Sequence, residues 1–255
     1  YCWTLMFVAI LPQILVVFSS FAERWPGTPL PTEYGLGNYR QVVDTLYTPI
    51  LNSMMLAGVA TGLCVVFGSL TAYASVRHRI VGRWALDLTV MLPFVLPGIV
   101  TAVALLTTFN SGWVVLTGTP LILIIGYFIR RLAYIFRFVS ATIAQLDPRI
   151  EEASAVCGAS WGQTMRRVTV PLIAPGILAG AILVFTTLIT EMSVTILLYS
   201  PRWKTISIAI FEKVLGDVDE IMQANAIGSV AIGITLLLVF ISSKLIGKRM
   251  SELFR

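Results

Sequence analysis

Five stretches of this chain, 1–21, 50–76, 85–109, 173–199 and 224–246, are apolar and carry at most one charged residue each. A bilayer hydrocarbon core about 30 Å thick takes about 20 such residues as a helix. Inside lipid a segment must satisfy its own backbone N–H and C=O groups, which favours helices over open strands. A soluble core would not absorb so many oily runs. Of the 255 residues, 57% are hydrophobic and 12% are charged, against about 25% charged in soluble domains. The fold class expected is therefore an all-α membrane protein. The bilayer is its main partner, and no nucleic-acid partner is expected.

A sixth span is expected over 113–137. It is the least clean, because Arg130 and Arg131 follow an apolar run and Arg137 comes soon after. Long basic side chains near a span end are tolerated when they snorkel or pack on protein. Six spans place the connections alternately on two sides. One side holds Arg77, Arg79, Arg83, Arg130, Arg131, Arg137, Arg149, Arg166, Arg167, Lys244, Lys248, Arg249 and Arg255. The other holds Arg24, Arg40, Arg202, Lys204 and Lys213. Short loops rich in Lys and Arg stay in the cytoplasm, so the first side is cytoplasmic, with both chain ends. The expectation is one six-span membrane domain over 1–255.

The outer loop 22–49 contains Pro26, Pro29, Pro31, Gly35 and Gly37 and reads as irregular. The loop 200–223 contains ISIAIF, read as a short helix lying at the outer surface. Pro93 and Pro97 in MLPFVLPG predict a kink, and Gly58, Gly62 and Gly68 permit close helix contact. Cys2, Cys64 and Cys157 fit no disulfide or metal-ligand spacing. The chain opens on Tyr1 with no basic residues before its first apolar run. This reads as a missing start or as one half of a longer chain.

The longest cytoplasmic connection, 145–171, has a readable local grammar. Asp147 suits a helix N-cap, Pro148 the first helical position, and Glu151 and Glu152 the positive helix start. Gly158 then ends that helix. Ser160 and Gln163 form a second capping box, Arg166 and Arg167 suit a last turn, and Pro171 stops it. The reading is two short helices bent at Gly158. Ala153, Ser154, Ala155, Gly158 and Ala159 make a smooth knob for a partner's groove, with Glu151 or Glu152 free to meet a basic rim. From these residues alone, an amphipathic loop lying on headgroups fits equally well.

The same loop resembles the signature of bacterial ABC importer permeases: E-A-A, three residues, G, nine residues, I-x-L-P. Here Glu152-Ala153-Ser154 is followed at the same spacings by Gly158 and by Val168-Thr169-Val170-Pro171. Ser154, Val168 and Val170 are mild departures. The chain is similar throughout to a type I importer permease domain. That resemblance implies that Glu151, Glu152, Ala153, Ser154, Gly158 and Pro171 belong to a coupling helix seated in a cytoplasmic ATP-binding subunit, present as a dimer. It implies a second permease domain, identical or fused, and an extracytoplasmic substrate-binding protein. The chain has no G-x-x-x-x-G-K-[ST] phosphate loop. Catalysis, with its ATP and Mg²⁺, is therefore expected on a separate chain, and no cofactor on this one.

LPFVLPG at 92–98, the GTPLILIIGYFIRRLAY run and TEMSVTILLYSPRWKTISIAIF at 190–211 resemble the ferric iron, polyamine, thiamine and aminophosphonate branch. The last phrase most resembles iron(III) permeases. Glu191 is a carboxylate well inside a span, where an ionised group costs roughly 2.5–3.5 kcal/mol on insertion scales unless paired or wet. Three readings stand open: a pathway group able to touch a passing ferric ion, a structural pair with Arg130 or Arg131, or a gate. Thr190, Ser193 and Thr195 lie near it and could wet the same face. His78, in the turn RHRIVGR, reads as a surface residue. A transporter working without ATP would need coupling charges over several spans and inverted repeats. A membrane enzyme would need more than one histidine.

Overall fold

A computed structural model describes residues 1–25, 28, 30–77 and 82–253, with the side chains at 44, 218, 219, 242, 243 and 245–253 outside that description. His78 and Arg79 of the basic turn, Pro26 and Pro29 of the outer loop, and Arg255 lie outside the described residues, as do the side chains of Lys248 and Arg249.

Helices account for nearly all of the order, as an apolar chain that must satisfy its own backbone requires. α1 (Cys2–Ser20), α2 (Gly37–Arg77), α8 (Val170–Ile189, entered by a continuous turn from Trp161) and α11 (Val218–Leu253) supply the segments long and apolar enough to cross a bilayer. α5 (Pro120–Gln145) is also long enough, at 26 residues, but carries the three arginines.

Several boundaries differ from the sequence expectation. Residues 22–49 are not irregular throughout. β1 (Ala22–Arg24) pairs antiparallel with β2 (Glu33–Tyr34), and α2 begins at Gly37, thirteen residues before its apolar run. At 41 residues it is roughly 60 Å long, twice the hydrocarbon thickness, so its first turns stand clear of lipid. Asn38 at its start explains why it forms there. Its amide donates to the carbonyls of Ser20 (3.1 Å) and Ala22 (2.8 Å), satisfying the end of α1. Tyr39 adds a bond of 2.7 Å to Ser229 of α11 and one of 2.6 Å to Ser20.

The span expected over 85–109 is two helices, α3 (Arg83–Val95) and α4 (Gly98–Phe109), bent by 104°. Leu96 and Pro97 are extended there (ψ 141° and 140°). Pro97 has no N–H to continue the ladder, and the residue before a proline is driven out of the helical region. The span expected over 113–137 starts later and ends later, as α5. Gly112 and Gly118 hold positive φ (100° and 81°), so the chain turns through 113–119 before Pro120 takes the first helical position.

α5 is the least apolar of the expected spans and the most central. Ile122, Leu123, Tyr127, Ile135, Val139 and Ile143 are buried between α2 and α8. α1 packs on α11 and leaves most of its length exposed. The ISIAIF segment is a helix, α10 (Ile206–Val214), but it does not lie loosely on the surface. Ile206 and Ile208 are buried, and Ser53 of α2 accepts from the Ile206 N–H (3.0 Å). Asn52 donates to the carbonyls of Arg202 (3.1 Å) and Lys204 (2.9 Å).

Close packing on α5 depends on small residues. A Cβ at Gly68 of α2 would lie 2.8 Å from Ile135 Cγ2 and 2.9 Å from its Cβ, whereas one at Gly62 would meet nothing within 4 Å. Gly68→Val should therefore destabilise the chain by about 1–3 kcal/mol, seen as a lower unfolding temperature in detergent. Gly62→Ala should leave that temperature unchanged or slightly raised.

Candidate functional site

The connection 145–171 forms two short helices bent at a glycine. α6 (Arg149–Val156) begins where the Arg149 N–H donates to Asp147 Oδ1 (2.9 Å), the capping bond expected of that residue. Glu151 and Glu152 sit in its first turn. Gly158 at φ 84° ends it, a conformation costly for a side chain. The Ser160 box closes from both directions. Gln163 N–H donates to Ser160 Oγ (3.4 Å), and Ser160 N–H donates to Gln163 Oε1 (2.8 Å). That opens α7 (Trp161–Thr164).

Pro171 does not stop the second helix. α7 passes through a π turn, Met165–Thr169, with the Val170 N–H bonded to Met165 O, directly into α8. The wider turn gives a proline in the second position of α8 room that a regular α-helical turn would deny its ring. The connection is thus continuous with a membrane helix rather than hinged from it.

Glu151 is not free. Tyr73 donates to its Oε2 (3.0 Å), Thr169 to its Oε1 (3.1 Å), and Arg77 Nε lies 3.4 Å away. Arg77 also donates to Leu146 O (3.2 Å). Of the two carboxylates expected to be free it is therefore Glu152 that is exposed, while Glu151 ties α6 to the end of α2 and to the π turn. Its i−4 and i+4 partners could not show this, because all three contacts come from elsewhere in the chain. Ser154 is half-buried against Thr164, at 2.9 Å between hydroxyls. Glu152, Ala153, Val156, Gly158, Trp161 and Pro171 are exposed, Val156 at 89% and Trp161 at 65%. The outward face is small and apolar with one carboxylate at its edge.

The second cluster lies where the chain breaks again. α8 ends at Ile189, and residues 190–194 leave the helix before α9 (Thr195–Leu198). The expected span 173–199 is therefore interrupted at Glu191, which is buried and paired with Arg131 of α5. Glu191 Oε1 also accepts from the Val194 N–H (3.4 Å), and its carbonyl from Thr195 Oγ1 (2.8 Å). Thr195 is wholly buried against the Tyr127 hydroxyl (2.6 Å). Thr190 and Ser193 are exposed instead. Thr190 lines a groove of about 470 Å³ with Val16, Ile210, Asn225 and Thr235. The four residues expected on one wet face are divided: Glu191 and Thr195 turn inward, Thr190 and Ser193 outward. Stranding one member of a buried ion pair costs about 3–5 kcal/mol, so the Arg131–Glu191 pair fixes the shape of the break. Among the described residues no three His, Cys, Asp or Glu side chains converge as metal ligands.

Four helices long and apolar enough to cross a bilayer, with one bent pair beside them, make this a multi-pass membrane protein by architecture. The match to family models agrees: residues 64–252 fit the binding-protein-dependent transport system inner membrane component. The chain belongs to that family, the permease subunits of ABC importers, and is a multi-pass protein of the bacterial inner membrane. It is 27% identical over 230 residues to a putative 2-aminoethylphosphonate transport system permease protein of Salmonella typhi, covering 90% of this chain and 86% of that one. It is 31% identical over 202 residues to a putative ferric transport system permease protein of Haemophilus influenzae, covering 77% and 31%. A probable ABC transporter permease of Sinorhizobium fredii is 29% identical over 251 residues, covering 93% of this chain. The chain spans only 44% of that relative's length. Among solved structures, a bacterial ABC transporter importing the acidic polysaccharide alginate superposes with a TM-score of 0.71 at 16% identity, over 97% of this chain and 92% of that chain. At that identity the likeness is one of fold.

Removing the Glu151 carboxylate should loosen α6 from α2. Hydrogen bonds to charged groups contribute about 1.5–3 kcal/mol, so in Glu151→Gln amide exchange over 149–164 should quicken about tenfold. Glu152→Gln should leave it near the parent rate.

Proposed function

We propose that this chain is the six-span permease of an ATP-driven importer, with both ends in the cytoplasm. On this reading α1, α2, the α3–α4 pair, α5, α8 and α11 are the six spans. The support for orientation is the charge asymmetry across the connections: leaving out the three arginines inside α5, ten Lys and Arg lie on the α6 side against five on the other. The α6–α7 connection then faces the cytoplasm and docks in a cleft of a separate ATP-binding subunit, which holds ATP and Mg²⁺. A second permease domain, identical or fused, completes the pathway, and an extracytoplasmic binding protein delivers substrate.

The single observation that carries the coupling role is the arrangement around Glu151. The knob of α6 is exposed, yet its base is bonded to α2 through Tyr73 and Arg77 and to the root of α8 through Thr169. A push on Ala153, Val156 or Gly158 would pass to two spans without an intervening loop. Glu152 is the carboxylate available to a basic rim on the partner, in place of Glu151.

The substrate proposed is ferric iron. It rests on the likeness of 190–211 to iron(III) permeases and on the ferric relative. Aminoethylphosphonate is the second reading, because that relative is matched over most of its own length. Thr190 and Ser193 are the break residues offered to the pathway. Glu191 could touch a passing cation only after parting from Arg131.

The complete transporter tests the reading. An ATPase subunit should co-purify with this chain, and Glu152→Arg, Gly158→Asp or Val156→Asp should reduce its recovery or leave ATP hydrolysis uncoupled from uptake, each by about tenfold. Parental recovery and uptake in all three variants would end the coupling assignment. Uptake of labelled ferric iron against labelled aminoethylphosphonate decides the substrate.

A further inference from the structure

Two broken spans meet in this protein, and consecutive residues of α5 hold both. Arg130 Nη1 donates to Leu96 O (3.3 Å), at the bend between α3 and α4. Arg131 pairs with Glu191, at the break between α8 and α9. The breaks also touch each other. A Cβ on Gly98 would collide with Ser193 Cβ and lie 2.6 Å from Arg130 Nη1, and one on Gly126 of α5 would lie 2.8 Å from Val194 Cγ1. The arginine face is braced on its other side, where Arg131 stands 5.7 Å from the centre of the Tyr134 ring and Tyr134 packs edge-on to Phe94 of α3 at 5.2 Å.

This junction lies about 20 Å along α5 from its Gln145 end, at 1.5 Å per residue. Within a hydrocarbon layer about 30 Å thick that depth is interior. Broken backbone at such a depth is tolerated where protein satisfies it or where it lines a wet cavity. Here protein satisfies it: one guanidinium takes the carbonyl freed at the first break, the next neutralises the carboxylate at the second. Lose either contact and the alternative is water.

We propose that Arg130 and Arg131 are positioning residues that clasp the two breaks into a closed gate, and that the Arg131–Glu191 pair parts when the pathway opens. The proposal deepens the importer reading above and rests on it for what the gate passes. It assigns Glu191 to the latch rather than to standing contact with substrate.

The test uses the full chain purified with its partner subunits and reconstituted in sealed vesicles, with trapped ²²Na⁺ as a probe that needs no knowledge of the substrate. Arg131→Glu and Glu191→Arg alone should each raise leak at least tenfold, and the double swap should bring it back to within about threefold of the parent. Single variants as tight as the parent, or a swap as leaky as the singles, would overturn the clasp. A merely structural pair would be rescued by the swap as well, so uptake in Arg131→Cys/Glu191→Cys separates the two: a bifunctional thiol cross-linker should stop uptake, and undiminished uptake in the cross-linked protein would overturn the parting of the pair. If the single variants do not assemble, Gly98→Ala supplies the readout, since it keeps both charges but forces the breaks apart. It should leak, and a tight vesicle would equally overturn the proposal. Failure of the parent chain to bring down an ATPase would instead count against the importer reading, and amide exchange over 190–198, faster in the singles and restored in the swap, would still judge the clasp.

Discussion

A carboxylate cannot remain charged and alone in a low-dielectric interior, and Glu191 of this chain is met there by Arg131. Much of the central architecture follows from that meeting. Arg131 must sit on a helix deep in the protein, so α5 is drawn to the centre despite carrying the most charge of any expected span. Glu191 must leave the regular helix to present both its carboxylate and its carbonyl, so α8 ends before it. The Gly98 and Gly126 surfaces then let the displaced segment lie against α4 and α5. Lipid is as apolar as these side chains, so close van der Waals packing and interhelical hydrogen bonds supply most of the driving force for packing α2, α5 and α8. The ion pair settles which of several similar oily packings is taken, because a register slip would strand two charges.

The entry to α8 shows the same arrangement with a different carboxylate. Glu151 collects Tyr73, Arg77 and Thr169, from two spans, onto the short helix between them. The π turn at Met165–Thr169 then carries α7 into α8 without a hinge. A loop on a flexible tether could bind a partner and transmit nothing. This connection is stiff at both attachments, and its exposed face is small and apolar. Anchoring and exposed surface are thus carried by different residues of one ten-residue stretch.

What was legible in the sequence was whatever is decided within a few residues. The Asp147 cap, the Gly158 terminus and the Ser160–Gln163 box follow from local backbone chemistry, and each stands where spacing placed it. The long apolar runs and the proline bend near Pro97 are local as well. Misread features were those decided by distant contacts. Glu151 looked free because its partners lie 18 to 78 positions away. The start of α2 at Gly37 is fixed by Asn38 reaching the carbonyls of Ser20 and Ala22, while glycine and proline content argued for a loop. Pro171 read as a stop because a regular α-turn was assumed before it. Glu191 was legible as an anomaly, and Arg131 was among its named partners, but the division of its neighbours between an inner and an outer face was not, since a break destroys the periodicity from which faces are read.

The two carboxylates are joined by the helices they hold. Glu151 fastens the root of α8 at Thr169, and Glu191 fastens its far end. α8 between them is twenty residues of apolar helix, roughly 30 Å long, with Pro175 in its first half. A displacement of α6 moves Thr169, and α8 conveys that movement to the break. α5 is reached through the same loop, because Arg77 holds the Leu146 carbonyl at its end. The arginine and the carboxylate of the clasp therefore ride on two helices held at one junction. A difference of an ångström or so in how the two helices shift is enough to part a charged hydrogen bond whose strength falls off steeply with distance and angle. An ion pair placed at the far ends of two such helices reports their relative motion, which a purely apolar contact, indifferent to small sliding, would not.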